Sequence, residues 1–265
     1  MGQLISLIIF ITILFGIMVV FLYKRKLLKK RLSQKIPELW REILVKKVLF
    51  YQQLYDQDKR LFEKRIQRFL ATKKIEGIDT EIDDSIRLFV ASSAVIPTFA
   101  FPEYNYPGVH SVLIYPGSFD EQFQTQQFEG SKENIIGIVG NRFQNGVVIL
   151  SKPDLIAAFD GLPHKSNVGV HEFVHLLDKE DGVIDGIPEL LMQHKYVGPW
   201  LHEIKKEMRK IETGKSDINP YALTNNAEFL AVVSEYFFDS PKKFKTKHPE
   251  LYEFLSTIFN IKKNI

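Results

Sequence analysis

Residues 166–178 read SNVGVHEFVHLLD, with His171 and His175 four positions apart and Glu172 beside the first of them. On an α-helix, side chains four apart stand one above the other on the same face, so both imidazoles can reach a single ion. Ser166 and Asn167 offer a helix start, and Phe173, Val174, Leu176 and Leu177 make the helix apolar on its other sides. A helix of that kind is buried, and two buried histidines with a glutamate need a chemical reason. A solvent-facing helix that carries two histidines by chance is the competing reading. The apolar flanks disfavour it.

The chemistry that suits this spacing is a zinc site. Zinc lowers the pKa of water from about 15.7 toward roughly 7, and a carboxylate at Glu172 can take and return the proton during attack on a peptide carbonyl. Two histidines leave such a site one protein ligand short. His175 is followed by LLDKED, which lacks the HxxGxxH continuation of a three-histidine site. An acidic residue from a later helix is then expected. Residues 226–238 read NAEFLAVVSEYFF, an apolar run whose only charges are Glu228 and Glu235, seven apart and able to share a face. Spacing leaves open which of them is the ligand and which orients a histidine.

Asp178, three residues past His175, lies on the same side of that helix and either supports the histidine or belongs to another network. The other histidines, His110, His164, His194, His202 and His248, show no comparable pairing. His202-Glu203 repeats half the motif, but Lys206 stands where a second histidine would be, so a surface position is expected.

Working outward, residues 36–71 carry Trp40, Leu44, Val48, Tyr51 and Tyr55, then Phe62, Ile66 and Phe69, a helical spacing that predicts one or two amphipathic helices. Residues 83–96 predict another helix, stopped by Pro97. A Pro-, Tyr- and Gly-rich tract from Thr98 to Gly108 leads to a strand over residues 109–115, ended by Pro116-Gly117. Residues 135–139 and 146–151 predict a strand pair joined through Asn145-Gly146. From Pro153 the pattern is mostly helical. The fold class is therefore α+β, with a small sheet between leading and closing helices.

The amino-terminal end has a different character. Residues 4–23 read LISLIIFITILFGIMVVFLY, twenty positions without a charge. Twenty helical residues cover roughly 30 Å, the thickness of a bilayer hydrocarbon core. A cleaved signal peptide fits poorly: no basic residue precedes the run, and no small-x-small cleavage site follows it. The reading is a permanent anchor over 1–23, a basic juxtamembrane segment over 24–36 and one catalytic domain over 37–265.

Charge supplies the orientation. Seven basic residues (Lys24, Arg25, Lys26, Lys29, Lys30, Arg31, Lys35) follow the span, and the first acidic residue is Glu38. Basic flanks stay cytoplasmic and can touch anionic headgroups, so a single-pass protein of the cell (inner) membrane with its body in the cytoplasm is expected. The formal net charge of +3 belongs to that segment, and without it the chain is net acidic. Direct nucleic-acid binding over the body is disfavoured for want of positive charge. With no cysteine in 265 residues, disulfides, thiolate zinc sites and thiol nucleophiles are excluded.

HEFVHLLD, the DG and DGIP that follow, and YALTNNAEFLAVVSEYFF together resemble the zinc peptidases related to the Mlc titration factor of enterobacteria, themselves distantly similar to the catalytic domain of anthrax lethal factor. The resemblance is densest from Gly146 to Phe238. It implies a zincin-like metallopeptidase domain of the gluzincin kind, with zinc held by His171, His175 and Glu228, the glutamate opening the AEFLA segment. It also implies that Tyr221, in YALT, assists the oxyanion, a part a phenol beside zinc can play by donating a hydrogen bond. Glu235 then becomes supporting or structural. Glu172 remains the general base. The implied partners are a peptide or protein substrate and, on the alternative that the fold sequesters rather than cleaves, a transcription regulator. A substrate backbone is expected to pair with an edge strand near the site, at Val112–Tyr115 or Val147–Leu150. The sequence departs from the soluble enterobacterial pattern in its membrane span.

Overall fold

The computed structural model describes residues 2–117, 137–138, 146–161 and 166–260. Helix α1 (Gly2–Leu32) is followed by α2 (Glu38–Lys47), α3 (Leu49–Gln53) and α4 (Asp56–Thr72), then by strand β1 (Lys74–Gly77) and helix α5 (Asp84–Val95). Strands β2 (Ser111–Tyr115), β3 (Gly137–Ile138) and β4 (Val147–Ser151) precede α6 (Lys152–Ala158) and α7 (Val168–Asp178). Helices α8 (Val197–Glu212), α9 (Asn226–Asp239), α10 (Pro241–Lys247) and α11 (Pro249–Ile258) complete the described chain. The architecture is α+β, mostly helical.

Helix α1 runs without a break from the apolar run into the basic segment. Its stretch Ile5–Lys30 is long and apolar enough to cross a membrane, and none of it is buried against the body. The amphipathic tract of residues 36–71 divides into three helices rather than one or two. The breaks fall at Val48, fully buried with φ −104° and ψ 96°, and at Leu54–Tyr55, also extended. Helix α5 lies where the sequence places it: Asp83 caps it by accepting the Ile86 N–H at 2.8 Å, and Pro97 follows its end.

The sheet has the order β1-β2-β4-β3. β1, β2 and β4 are parallel, with Ile75, Val112 and Val148 in register, and β3 runs antiparallel to β4, with Ile138 opposite Ile149. β4 is buried almost throughout, as a strand covered on both faces should be. Strand β1, the short KIEG stretch, has no sequence signal of its own and is a strand because β2 pairs with it. Gly146 has the φ of +69° that a tight turn needs, while Asn145, the other half of the expected turn, lies outside the described residues, as does His164.

Aromatic side chains hold the layers together. Phe50, Phe62, Phe99 and Phe238 bring α3, α4, the start of the 98–108 tract and α9 to one cluster, with ring centroids 5.5–6.0 Å apart. Glu63 on α4 accepts from Arg41 Nε at 2.9 Å and from the Tyr51 hydroxyl at 2.8 Å, joining α2 and α3 to that cluster.

A second polar junction closes the carboxy-terminal end. His248, which local spacing leaves without a partner, lies buried with Nδ1 3.3 Å from Glu207 and Nε2 2.9 Å from Asp217. Asp217 also accepts from the Tyr236 hydroxyl at 2.9 Å and pairs with Lys243 and Lys247, while Lys210 pairs with Glu207. Burial alone would lower the His248 pKa, but the two carboxylates outweigh it and raise it above its ordinary range. A raised folded-state value adds stability that is fully present below about pH 6.5 and is lost as pH climbs through the raised value. Burial would raise the Asp217 carboxyl, but His248, Lys247, Tyr236 and Lys243 hold it well below its ordinary range, so its contribution is lost only below about pH 4. The melting temperature should therefore fall above pH 6.5, and His248→Gln should flatten that part of the profile. Parallel profiles for the two proteins in circular dichroism melts would refute this role.

Candidate metal centre

Two helices that start on asparagine caps deliver the site. Asn167 accepts the Val170 N–H at 3.0 Å and opens α7, and Asn225 accepts the Glu228 N–H at 2.9 Å and opens α9. Glu228 is the third residue after its cap, a position from which a glutamate can fold back onto the helix start. Here it reaches across to α7 instead.

Helix α7 is buried on nearly every side. Phe173 packs edge-on against Phe69, with ring centroids 5.7 Å apart, and at a tilt against Tyr106 at 4.9 Å, fixing the side of the helix turned away from the histidines. Gly169 lets α5 approach, because a Cβ there would lie 2.1 Å from Ser93 Oγ.

The result is a triangle of ligand atoms. His171 Nε2 lies 2.9 Å from Glu228 Oε2, and His175 Nε2 lies 3.1 Å from His171 Nε2 and 3.4 Å from Glu228 Oε2. Zinc bonds of roughly 2.0–2.1 Å at tetrahedral angles demand ligand–ligand edges of about 3.3 Å. Two ring nitrogens facing each other at 3.1 Å also need a shared cation or proton between them. Among the described residues this is the one group of three His, Cys, Asp or Glu side chains arranged to hold a metal. The donor set fits the ion.

Glu235 takes the other nitrogen of His171. Its carboxylate lies 2.6 Å from His171 Nδ1 and also accepts from Ser166 Oγ at 2.7 Å and from the Asn167 N–H at 2.6 Å. A proton held on His171 Nδ1 by Glu235 would leave Nε2 to offer its lone pair to a bound metal. The seven-residue spacing points to a shared face, and the crossing of α7 and α9 divides the roles: Glu228 meets Nε2 and Glu235 meets Nδ1. The contribution of Ser166 and Asn167 to Glu235 has no signal in the sequence beyond their use as a helix start.

The electrostatics follow from burial and contact. Burial alone would lower the His171 pKa, but Glu228 and Glu235 hold it well above its ordinary range. Burial would raise Glu228, yet hydrogen bonds from His171 and His175 bring it down to about 2. Glu172 is 5% exposed, and burial lifts its carboxyl above the usual range against the pull of the two histidines. Tyr221 sits on the short 3-10 turn Pro220–Leu223, started by Asn219, which accepts the Tyr221 N–H at 3.0 Å. Its ring centroid is 6.1 Å from that of His171, and the side chain is half exposed at the mouth of the site.

Outside this group, His202 is exposed as expected, but Glu203 is buried and paired with Lys206, so only half of that dipeptide is surface. His110 and His194 are exposed.

Residues 22–260 match the family described as glucose-regulated metallo-peptidase M90. The chain is 29% identical over 235 residues to an uncharacterized protein of Synechocystis sp., covering 86% of each chain. It is 30% identical over 219 residues to Mlc titration factor A of Cronobacter sakazakii, covering 76% of this chain and 78% of the relative. It is 31% identical over 198 residues to the protein of the same name in Escherichia fergusonii, covering 71% and 73%. With nearly its whole length matched, and with a two-histidine, one-glutamate cluster of the kind such a family needs, this chain belongs to the M90 metallo-peptidase family.

Proposed function

We propose that the protein is a membrane-anchored zinc peptidase of zincin-like, gluzincin-type architecture. In this reading residues 1–23 anchor it, residues 24–36 form a basic juxtamembrane segment that touches the headgroups, and residues 37–265 form the catalytic body facing the cytoplasm. The observation that carries the reading is the convergence of His171, His175 and Glu228 beside the buried Glu172. When bound, zinc supplies Lewis acidity, making water more acidic and polarising the scissile carbonyl.

The chain's own groups do the rest. His171 Nε2, His175 Nε2 and a Glu228 oxygen hold the metal, and Glu235 fixes the His171 ring by accepting its Nδ1–H. The Glu172 carboxylate accepts a proton from the attacking water and gives it to the departing amine nitrogen, so it ends as it began. The Tyr221 hydroxyl donates a hydrogen bond to the carbonyl oxygen as that oxygen gains negative charge.

Neither Val112–Tyr115 nor Val147–Leu150 is the edge strand that the sequence leads one to expect. Both are interior, because β2 is flanked by β1 and β4, and β4 by β2 and β3. Among the described residues the free edge on the α7 side belongs to β3, and an extended peptide would add there.

The full-length chain in detergent should cleave members of a random peptide library. A zinc chelator should stop cleavage, and added zinc should restore it. Cleavage that persists after complete metal removal would refute the reading. The name of the enterobacterial relatives supports a second one, in which the same fold holds a regulator and cleavage is secondary. A zinc-loaded chain that cleaves no library member would favour it.

A further inference from the structure

The two metal-site histidines are treated unequally by their surroundings. His171 Nδ1 has Glu235 at 2.6 Å. His175 Nδ1 is buried and has no hydrogen-bond partner among the described residues. Three residues further along the same helix, Asp178 is fully buried and its Oδ1 also lacks a partner among them. A neutral imidazole that ligates through Nε2 carries its proton on Nδ1, and a buried N–H needs an acceptor. A donor and an acceptor left over on neighbouring turns of one helix face answer each other's need.

Asp178 is itself held in place. Its Oδ2 accepts the Gly186 N–H at 2.8 Å. The Gly186 carbonyl in turn accepts from the buried Trp200 Nε1 at 2.7 Å. Gly186 has φ +80°, and a Cβ there would lie 2.4 Å from the carbonyl oxygen of Asn226, the first residue of α9. The loop that grips Asp178 thus lies directly against the turn carrying Glu228. A carboxylate on the second histidine's helix thus holds the chain that abuts the glutamate's helix.

Resting on the metal-site reading above, we propose that Asp178 is a positioning residue for His175: it accepts the Nδ1–H through Oδ1 while Oδ2 stays on Gly186, aiming Nε2 at the metal and tying that aim to the start of α9. The two ligand histidines then have matching carboxylate supports, Glu235 from α9 and Asp178 from α7 itself. Asparagine has a single acceptor oxygen and cannot serve both donors, so Asp178→Asn separates this role from mere space-filling.

The test is zinc affinity of the full-length chain in detergent, measured by competition with a chelating dye, alongside the melting temperature of the metal-free protein. Asp178→Asn should weaken zinc binding by about 10–100-fold. A melting temperature that drops while zinc affinity stays at the wild-type value would mean a purely structural aspartate and overturn the proposal. A wild-type chain that takes up no zinc would overturn the metal-site reading and this one with it. Should the variant fail to fold, the wild-type protein still decides: with labelled histidine and zinc bound, two strongly downfield imidazole Nδ1–H proton resonances are expected, one from each ligand histidine. A signal from His171 alone would refute the role of Asp178.

Discussion

Glu172→Gln should reduce peptide hydrolysis by about 10²–10⁴-fold, the usual worth of a positioned general base, with zinc content unchanged. Glutamine keeps the shape and the hydrogen-bonding reach of glutamate but cannot accept the proton of water. The side chain is 5% exposed, and its carboxyl is destabilised in the charged form by burial. A neutral amide in that place removes the cost of burying charge, so the melting temperature should hold or rise rather than fall. Library cleavage read by mass spectrometry, zinc content by elemental analysis and a thermal melt together check all three expectations. Wild-type rates in this variant would place the base elsewhere. If the protein's biological effect survives in it while cleavage is lost, the regulator-holding alternative is the better account.

His171→Ala is expected to act on both metal and stability. The imidazole lies between Glu228 Oε2 at 2.9 Å and Glu235 Oε1 at 2.6 Å, so its removal leaves two mostly buried carboxylates facing a gap and, on the proposed reading, takes a ligand from the metal. Breaking a buried charged pair by deleting one partner costs about 3–5 kcal/mol. For a body of this size that corresponds to a drop on the order of 10 °C in melting temperature. Glu228→Gln, by contrast, should lose the metal with a smaller stability loss, because Glu228 is the more exposed of the two carboxylates at 18% against 8% for Glu235. Zinc retained at one equivalent in His171→Ala would remove this residue from the ligand set.

The ordering of these two variants is itself informative. On the proposed reading Glu172 contributes chemistry, at a position where burial disfavours its charged form. His171 faces both Glu228 and Glu235, and on the proposed reading it is at once a ligand and the positive or metal-bound partner that makes those carboxylates acceptable inside the protein. A site organised this way should show metal-dependent stability, since anything that binds only the folded state stabilises it.

Much of the site was legible from local spacing. The interval from His171 to His175 placed two imidazoles on one helical face, Asn167 and Asp83 marked helix starts, and the uncharged run of residues 4–23 emerged as a helix long enough for a bilayer. Each of these depends on contacts within a few residues, where backbone geometry converts sequence interval into direction without help from the rest of the chain.

Other features depended on which distant segments meet. The crossing of α7 and α9 decided that Glu228 faces Nε2 of His171 while Glu235 takes Nδ1, a division that two carboxylates on one face leave open. The strand order made β2 and β4 interior and left β3 at the edge, and pairing with β2 turned KIEG into a strand. His248 became a buried link between Glu207 and Asp217, and Asp178 acquired Gly186, through contacts spanning 8 to 41 residues. The sequence by itself determined the helix-borne histidine pair, its neighbouring glutamate and the apolar amino-terminal helix, because helical geometry is local. Only the tertiary structure decided how the carboxylates are shared among the histidines, because that assignment is made by packing between elements remote in the chain.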